Sequence, residues 1–396
     1  MNHTSANAHS QTLKVALVHD FLTQSGGAER ILDCLLDLFP TAPVYTLIYS
    51  PARIGQRYAK RKIRPSVLQT LPGAQLHSKW YLPLMTWATD RMALPADLDL
   101  VISDASAYAK GVRVPPGVPH LCYLHTPTRY LWSVRDEYVR DAPIPAWIRP
   151  FVGPVLDHHK RWDYLAAQRP DVYIANSRHV AAQMEQYYNR SADQVIFPFV
   201  DLDRFSPAPT VSDYVLTVGR LEPYKRIDLV IEACIQLSWP LKVVGTGSWL
   251  ERYRHQYRSH TNVEFLGRVS DEELPQLYAQ AKVFVFPASE DAGITPLESM
   301  ASGRPVLAFK AGGALESVIP GVTGEFFTEQ SVAALVAALG NGQWTRYTQT
   351  DIRHHAEGFA RPEFERRFMD VVDRLMQRTA RSRQASVPTT KERYGQ

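Results

Sequence analysis

The sequence predicts an α/β protein of two domains, each built on a parallel sheet. Short runs such as Val283–Phe286 and Val172–Ala175 are apolar at every position, which marks strands covered on both faces. Segments with helical periodicity separate these runs, and frequent alternation of this kind implies parallel strands joined by right-handed crossovers. At 396 residues the chain exceeds what one hydrophobic core ordinarily serves. Two such domains imply a cleft.

Composition narrows the class. Hydrophobic residues make up 45% and charged residues 21%, the balance of a globular protein. Lys and Arg number 44 against 40 Asp and Glu, and a net charge of +4 gives no support to nucleic-acid binding. The cysteines Cys34, Cys122 and Cys234 lie far apart among apolar residues, so neither a zinc site nor a disulfide framework is expected. A reducing cytoplasm is the default. The opening stretch MNHTSANAHSQT lacks the basic-then-apolar pattern of a signal peptide, and no apolar run approaches the ~18 residues that span a bilayer. Any work on a membrane is then done from its surface. Two basic stretches, Arg53, Arg57, Lys60, Arg61, Lys62 and Arg64, then His158, His159, Lys160 and Arg161, are either solvated faces or meet phosphates and anionic lipid.

Taken in order, residues 14–20 form a first strand and residues 21–27 a loop ending in Gly26 and Gly27. Residues 28–39 carry helical periodicity through Ile31, Leu32, Leu35, Leu36 and Phe39. The next strand is Val44–Tyr49. The aromatic-rich residues 79–94 read as a core helix interrupted at Pro83, with a membrane-facing apolar surface as the alternative. Further strands are expected at 98–103 and His120–Leu124. The latter runs straight into His125, Arg129 and Trp132, and a histidine at the carboxyl end of a parallel strand sits where ligands bind. A helix follows at 151–168, then a strand at Val172–Ala175 and a helix capped by Asn176 or Ser177. The proline-rich residues 199–212 are assigned as the linker between domains at 14–198 and 213–361, with residues 1–13 and 379–396 expected to be disordered. In the second domain, strands are expected at 214–218, Leu241–Val244, 263–266, Val283–Phe286 and 305–308. The last helix, 362–378, has an apolar stripe that is able to pack back on the first domain.

The segment most informative for function is PASEDAGITPLESMASGRP, residues 287–305. It joins a buried strand to a helix in which Pro296 is expected at the first position and Gly303 at the stop. The amides around Gly293, Ile294 and Thr295 are placed to hold an anion. Glu290 in the loop and Glu298 in the first helical turn bracket that site as acceptors for one ligand, or else Glu298 answers the helix dipole and Glu290 is a solvated loop charge. Arg220 and Lys225 lie in the same kind of strand-end loop, with affinity for a diphosphate as the functional reading. Gly312 and Gly313 begin another anion-facing turn.

Other motifs fail. Gly245-Thr-Gly247 lacks the third glycine of a dinucleotide fingerprint, and no Walker loop is present. The pairs Asp97/Asp99 and Asp201/Asp203 lead into a strand and lie in the linker, and neither is read as a metal site. The doublets His158/His159 and His354/His355 lack the i, i+4 spacing of a helical zinc site.

With Gly26 and Gly27, the string Gly219-Arg220-Leu221 leading to Lys225, and Glu290 separated by seven residues from Glu298, the chain resembles the family 4 retaining glycosyltransferases of the GT-B fold. The resemblance covers about residues 14–378. Three stretches, HDFLTQSGGAERIL, LHTPTRYLW and IANSRHVA, are most similar to the WbaZ-type branch, bacterial mannosyltransferases that build lipid-linked saccharides. It implies two Rossmann-like domains facing across a cleft, with donor binding in the second and acceptor binding in the first. Arg220 and Lys225 would hold the donor diphosphate, Glu298 the ribose hydroxyls and Glu290 the donor sugar. His125 would contact the sugar near the acceptor side with Arg129 nearby, Gly26 and Gly27 would offer amides to phosphate, and Arg268 and Val269 would lie beside the base. The family's common Phe-Gly after the first glutamate is replaced by Asp291-Ala292-Gly293, which adds a negative charge. The resemblance further implies no cofactor and no metal, a nucleotide-sugar donor such as GDP-mannose, a polyprenyl-diphosphate-linked saccharide acceptor, and the inner face of the cytoplasmic membrane as the workplace. The alternatives are a UDP-hexose transferase or nucleotide-sugar epimerase of the same fold, and a transferase-like partner subunit without catalysis.

Overall fold

The strands of the first unit are β1 (Val15–Leu22), β2 (Val44–Tyr49), β3 (Ile63–Pro65), β4 (Leu100–Ala105), β5 (His120–Leu124), β6 (Val172–Ala175) and β7 (Gln194–Val195). In the computed structural model, which describes residues 13–24, 26–141 and 149–385, they form one parallel sheet in the order β3-β2-β1-β4-β5-β6-β7. β1 is buried at every position but Phe21, as a strand flanked on both sides and covered on both faces must be. The helices α1 (Gly27–Leu38), α2 (Met85–Asp90), α3 (Arg149–Ala166) and α4 (Arg178–Tyr188) follow the strands. The unit comprises the chain up to Asn176, Val180–Ile196 and the part from Glu365 onward.

The second unit, Ser177–His179 and Phe197–Phe364, holds β8 (Val215–Val218), β9 (Leu241–Val244), β10 (Val263–Gly267), β11 (Val283–Phe286), β12 (Val306–Phe309) and β13 (Gly324–Phe327). These are again parallel, in the order β10-β9-β8-β11-β12-β13. Among its helices are α5 (Ile227–Leu237), α6 (Thr295–Ala301) and α7 (Val332–Asn341), and α8 (Arg361–Ala385) begins in it. β11 shows why its sequence is apolar throughout. Phe284 and Phe286 pack with Leu297 and Met300 on one face, whereas Val283 and Val285 pack with Ile231 and Leu335 on the other. Each fully buried side chain of this size contributes roughly 1.5–3 kcal/mol.

Several expectations are corrected. β1 reaches Leu22, so the loop before α1 is shorter than 21–27. β3 and β7 carry no fully buried position and so have no apolar signature, and β13 opens with Gly324 and Glu325. Residues 199–212 are less free than a linker: Val200 and Phe205 are buried, and Arg353 donates to the carbonyls of Leu202 and Phe205. Irregular backbone with large apolar side chains packs as core without forming an element. The stretch 79–94 is a 3-10 turn, Ser78–Leu84, followed by α2; Met85 and Ala88 are buried, but Trp80 is 74% exposed. The C-terminal helix continues to Ala385, past the 379 boundary expected for the tail. The expectations for residues 1–12 and 386–396 lie outside the described residues. No helix among the described residues is long and apolar enough to cross a membrane. All three cysteines are buried, and burial pushes the thiols of Cys122 and Cys234 up to about 12.

One polar cluster ties the first unit together beneath its surface. Asp163 of α3 accepts from Lys110 Nζ at 2.5 Å and from Thr128 Oγ1, Trp132 Nε1 and Tyr188 Oη at 2.8 Å each. Lys110 and Asp163 are 0% and 2% exposed, so the pair is stable only because nearly every donor and acceptor is used. The cluster pins the 126–132 loop to α3 and α4. Asp163→Ala, which strands the Lys110 ammonium, is expected to cost about 3–5 kcal/mol. The Lys110→Met/Asp163→Leu double variant should cost less, as read by urea unfolding; equal losses would mean that the charges are not coupled.

Candidate active site

β8 and β11 are neighbours, paired Val215 to Val283 and Leu216 to Phe284, although two strands, β9 and β10, lie between them in the sequence. Strand order reverses there, and in open α/β sheets ligands bind at that reversal, beyond the carboxyl ends. The loop after β8 carries Arg220 and Lys225, and the loop after β11 carries Glu290. Lys225 Nζ donates to Glu290 Oε1, with the two side chains 14% and 23% exposed. Arg220 is exposed, and its Nη2 donates to Tyr224 Oη at 3.2 Å, while Lys225 Nζ lies 5.2 Å from the Tyr224 ring centroid. Tyr224 therefore links the two cations, a role that nothing in the sequence singles out.

Glycines set the backbone of this edge. Gly313 N donates to Glu290 O at 2.8 Å, and a Cβ on Gly312, whose φ is +62°, would fall 2.1 Å from that same oxygen. The turn expected to face an anion thus braces the Glu290 loop from behind. Gly245, at φ +133°, comes so close that a Cβ would lie 1.8 Å from Gly219 O. The truncated glycine motif serves close packing against the Arg220 loop.

Glu298 is 2% exposed in the first turn of α6, and its Oε2 accepts from Tyr278 Oη at 2.9 Å. It is held from below by Tyr278, whereas Glu290 is paired with Lys225, so the two glutamates have different partners. α6 begins at Thr295, one residue before Pro296, with Gly293 buried and Ile294 and Thr295 half-buried at its entry. After β10, Arg268 is exposed and Val269 packs partly buried on the core. The acid pairs have structural partners: Lys14 contacts both Asp97 and Asp99, and Asp201 Oδ1 accepts from Asp203 N. Of the histidine doublets, His159 bonds the Val155 carbonyl, His354 bonds Glu357 and His355 the Ser317 carbonyl.

In the first unit the reversal lies between β1 and β4. Gly26 and Gly27 are exposed at the start of α1, and among the described residues Gly26 at its N-cap offers no side-chain cap. His125 follows β5, and Arg129 lies half-buried in the loop after it. His125 Nε2 is 2.5 Å from Asp104 Oδ1, and the other oxygen of Asp104 is 2.8 Å from His19 Nδ1. His19 Nε2 is 3.8 Å from Glu29 Oε1. Asp20 accepts the amides of Ser106, Ala107, Tyr108 and Ala109 at 2.6–2.7 Å, which fixes the turn after β4. Asp104, His19, Glu29 and Asp20 were not singled out from the sequence. For Asp104, His19 and Asp20 the signal was position alone, toward the ends of two strands that only the sheet order makes adjacent, and Glu29 lies in the first turn of α1.

Burial opposes the charge on His19, but its bonds to Asp104 and Glu29 outweigh that cost and push it up to about 10. Burial likewise raises Asp104, and the two imidazoles overcome it and hold the carboxyl below its ordinary value. A raised folded value means that the His19 contribution is fully present below its ordinary 6.5 and is lost as pH rises through about 10. Urea stability should accordingly fall from pH 6.5 toward 10, and His19→Gln should flatten that decline. An unchanged slope in the variant would show that His19 does not carry the charge.

Two family descriptions match the sequence, Glycosyltransferase Family 4 over residues 25–204 and Glycosyl transferases group 1 over residues 201–341. The chain belongs to the family 4 glycosyltransferases. Among the family's characterised members, the GDP-mannose-dependent alpha-(1-6)-phosphatidylinositol monomannoside mannosyltransferase of Mycolicibacterium smegmatis is 30% identical over 50% of this chain and 61% of its own. The D-inositol 3-phosphate glycosyltransferase of Streptomyces scabiei is 30% identical over 57% of this chain and 55% of its own. The chain thus spans about half the length of the curated relatives it matches. Among solved structures, sucrose-phosphate synthase from Thermosynechococcus elongatus aligns with a TM-score of 0.73 at 18% identity, over 92% of this chain and 100% of the other. Anabaena HepE in complex with UDP aligns with a TM-score of 0.68 at 19% identity, over 91% and 100%. That likeness is one of fold, and the fold is GT-B.

Proposed function

We propose that this family 4 member is a retaining hexosyltransferase that moves mannose from GDP-mannose to a polyprenyl-diphosphate-linked saccharide. The observation that carries the reading is the Lys225–Glu290 pair at the strand reversal of the second unit, with Arg220 beside it. A nucleoside diphosphate leaving group gains negative charge as its bond to the sugar breaks, and cations aimed there stabilise the transition state more than the ground state. Lys225 and Arg220 are that pair of cations. A diphosphate entering the site draws Lys225 from Glu290, and the freed carboxylate becomes an acceptor for sugar hydroxyls and a counter-charge for a developing oxocarbenium ion. Glu298, held by Tyr278, is the acceptor for ribose, and the loop of Arg268 and Val269 lies beside the base. The amides of Gly26 and Gly27 are offered to phosphate. His125 and Arg129 serve the acceptor side. The choice of GDP-mannose is supported by the mannosyltransferase among the relatives.

GDP at 100 times its dissociation constant should stabilise the second unit by about 2.7 kcal/mol with or without magnesium. Lys225→Ala should abolish that shift. A preference for UDP would overturn the donor, and no response to GDP, UDP or ADP would overturn the enzyme in favour of a non-catalytic subunit.

Work on a lipid-linked acceptor places the protein on the inner face of the cytoplasmic membrane. The first unit has a surface suited to it, because Leu76, Trp80, Leu84 and Trp87 are 63%, 74%, 42% and 44% exposed. Cations lie among them: Arg91 stacks 5.2 Å from the Trp87 ring, and Arg53 donates to Leu76 O. Aromatic side chains with interleaved Arg bind an anionic interface. The Trp80→Ser/Trp87→Ser variant is expected to lose most of its co-flotation with phosphatidylglycerol vesicles while keeping its response to GDP.

A further inference from the structure

The geometry points to Asp104 as a positioning residue that fixes the ring tautomer of His125, so that Nδ1 is the nitrogen presented to a sugar hydroxyl, with His19, which bridges Glu29 and Asp104, supplying Asp104's counter-charge. The inference rests on the glycosyltransferase reading only for the identity of the ligand.

Four groups, from β1, β4, the loop after β5 and α1, form a single chain of contacts. His19 and Asp104 are register partners on β1 and β4, so their side chains leave the sheet side by side. His125 N donates to Ala105 O at 2.8 Å, which brings the residue after β5 level with Asp104. The Asp104 side chain is fully buried between two imidazoles, and each of its oxygens takes one, at 2.5 and 2.8 Å. Asn176 Nδ2 donates to the His125 carbonyl at 2.8 Å, and the Tyr123 ring meets the imidazole edge-on at 5.1 Å. The His125 ring is therefore clamped in orientation as well as in position.

The tautomer follows from acceptor chemistry. An ionised carboxylate has no proton to give, so the nitrogen facing it must carry the hydrogen, and in a neutral imidazole the other nitrogen is then an acceptor. Asp104 faces Nε2, which leaves Nδ1 as the acceptor. The titratable groups around the site include Glu29 of α1, His19 of β1, Asp104 of β4, Cys122 and Tyr123 of β5 and Tyr58, whose hydroxyl bonds the Glu29 carbonyl. A carboxylate left alone in this sheet would be drawn toward taking up a proton. With His19 charged between Glu29 and Asp104, the carboxylate stays an acceptor to both rings. This explains a glutamate at the third position of α1 that is buried instead of facing solvent.

The test is the nitrogen spectrum of the full chain labelled in its histidines, recorded near pH 8, with His125→Gln used to assign the signal. The expected result is one neutral tautomer, hydrogen on Nε2 and none on Nδ1. A hydrogen on Nδ1, averaging between tautomers, or an imidazolium at the His125 signal of the wild type would overturn the proposal. In Asp104→Asn the amide can face the ring with either end, so the signal should become a mixture. Release of GDP from GDP-mannose should then fall at least about 10²-fold in kcat, with stabilisation by GDP unchanged. A signal in Asp104→Asn identical to the wild type would also overturn the proposal. Failure of the wild type to bind GDP or UDP would sink the transferase reading alone, because the tautomer is read without any nucleotide.

Discussion

Everything in this molecule depends on strands that are buried on both faces. Parallel strands such as β1 and β11 have no side open to water, so helices must cover both faces and polar chemistry is driven to the ends of the strands. Where strand order reverses, two loops diverge and leave room for a ligand. That single constraint accounts for the position of Lys225 and Glu290 in one unit and of His19, Asp104 and His125 in the other.

Charge at such an edge is costly unless it is paired, and the two units meet that cost differently. In the second unit the pair is partly exposed and can open, because water or a phosphate can replace either partner. In the first unit the charges are sealed in. Asp104 lies between two imidazoles, and Asp163 is surrounded by an ammonium, two hydroxyls and an indole. Sealed networks fix geometry, whereas open pairs exchange partners. A transfer reaction needs both: a part that yields to the incoming diphosphate and a part that does not move.

Much of this was legible in the sequence. β2, β5, β6, β9 and β11 have the expected boundaries, because a short, mostly apolar run flanked by polar or turn-forming residues admits few other readings. The loops bearing Arg220, Lys225 and Glu290 were recognisable from their motif and its order along the chain. What could not be read depended on partners distant in sequence. Asp104 looks like the polar end of a strand until the sheet places His19 beside it, and Tyr278 looks like core until Glu298 meets it. The same holds for Gly312, whose purpose is set by a carbonyl 22 residues away. Periodicity reported the 79–94 segment poorly because Trp80, Leu84 and Trp87 face outward.

The burial of every cysteine has a practical side. The thiols of Cys122 and Cys234 are shielded and barely ionise near neutrality, and Cys34 is buried in α1. A thiol-directed dye should therefore pass the native residues by. One cysteine introduced at an exposed position becomes the sole handle for labelling the whole chain, so a fluorophore can be set next to the Arg220 loop or near Trp80 without first stripping the core of three side chains that help to fill it.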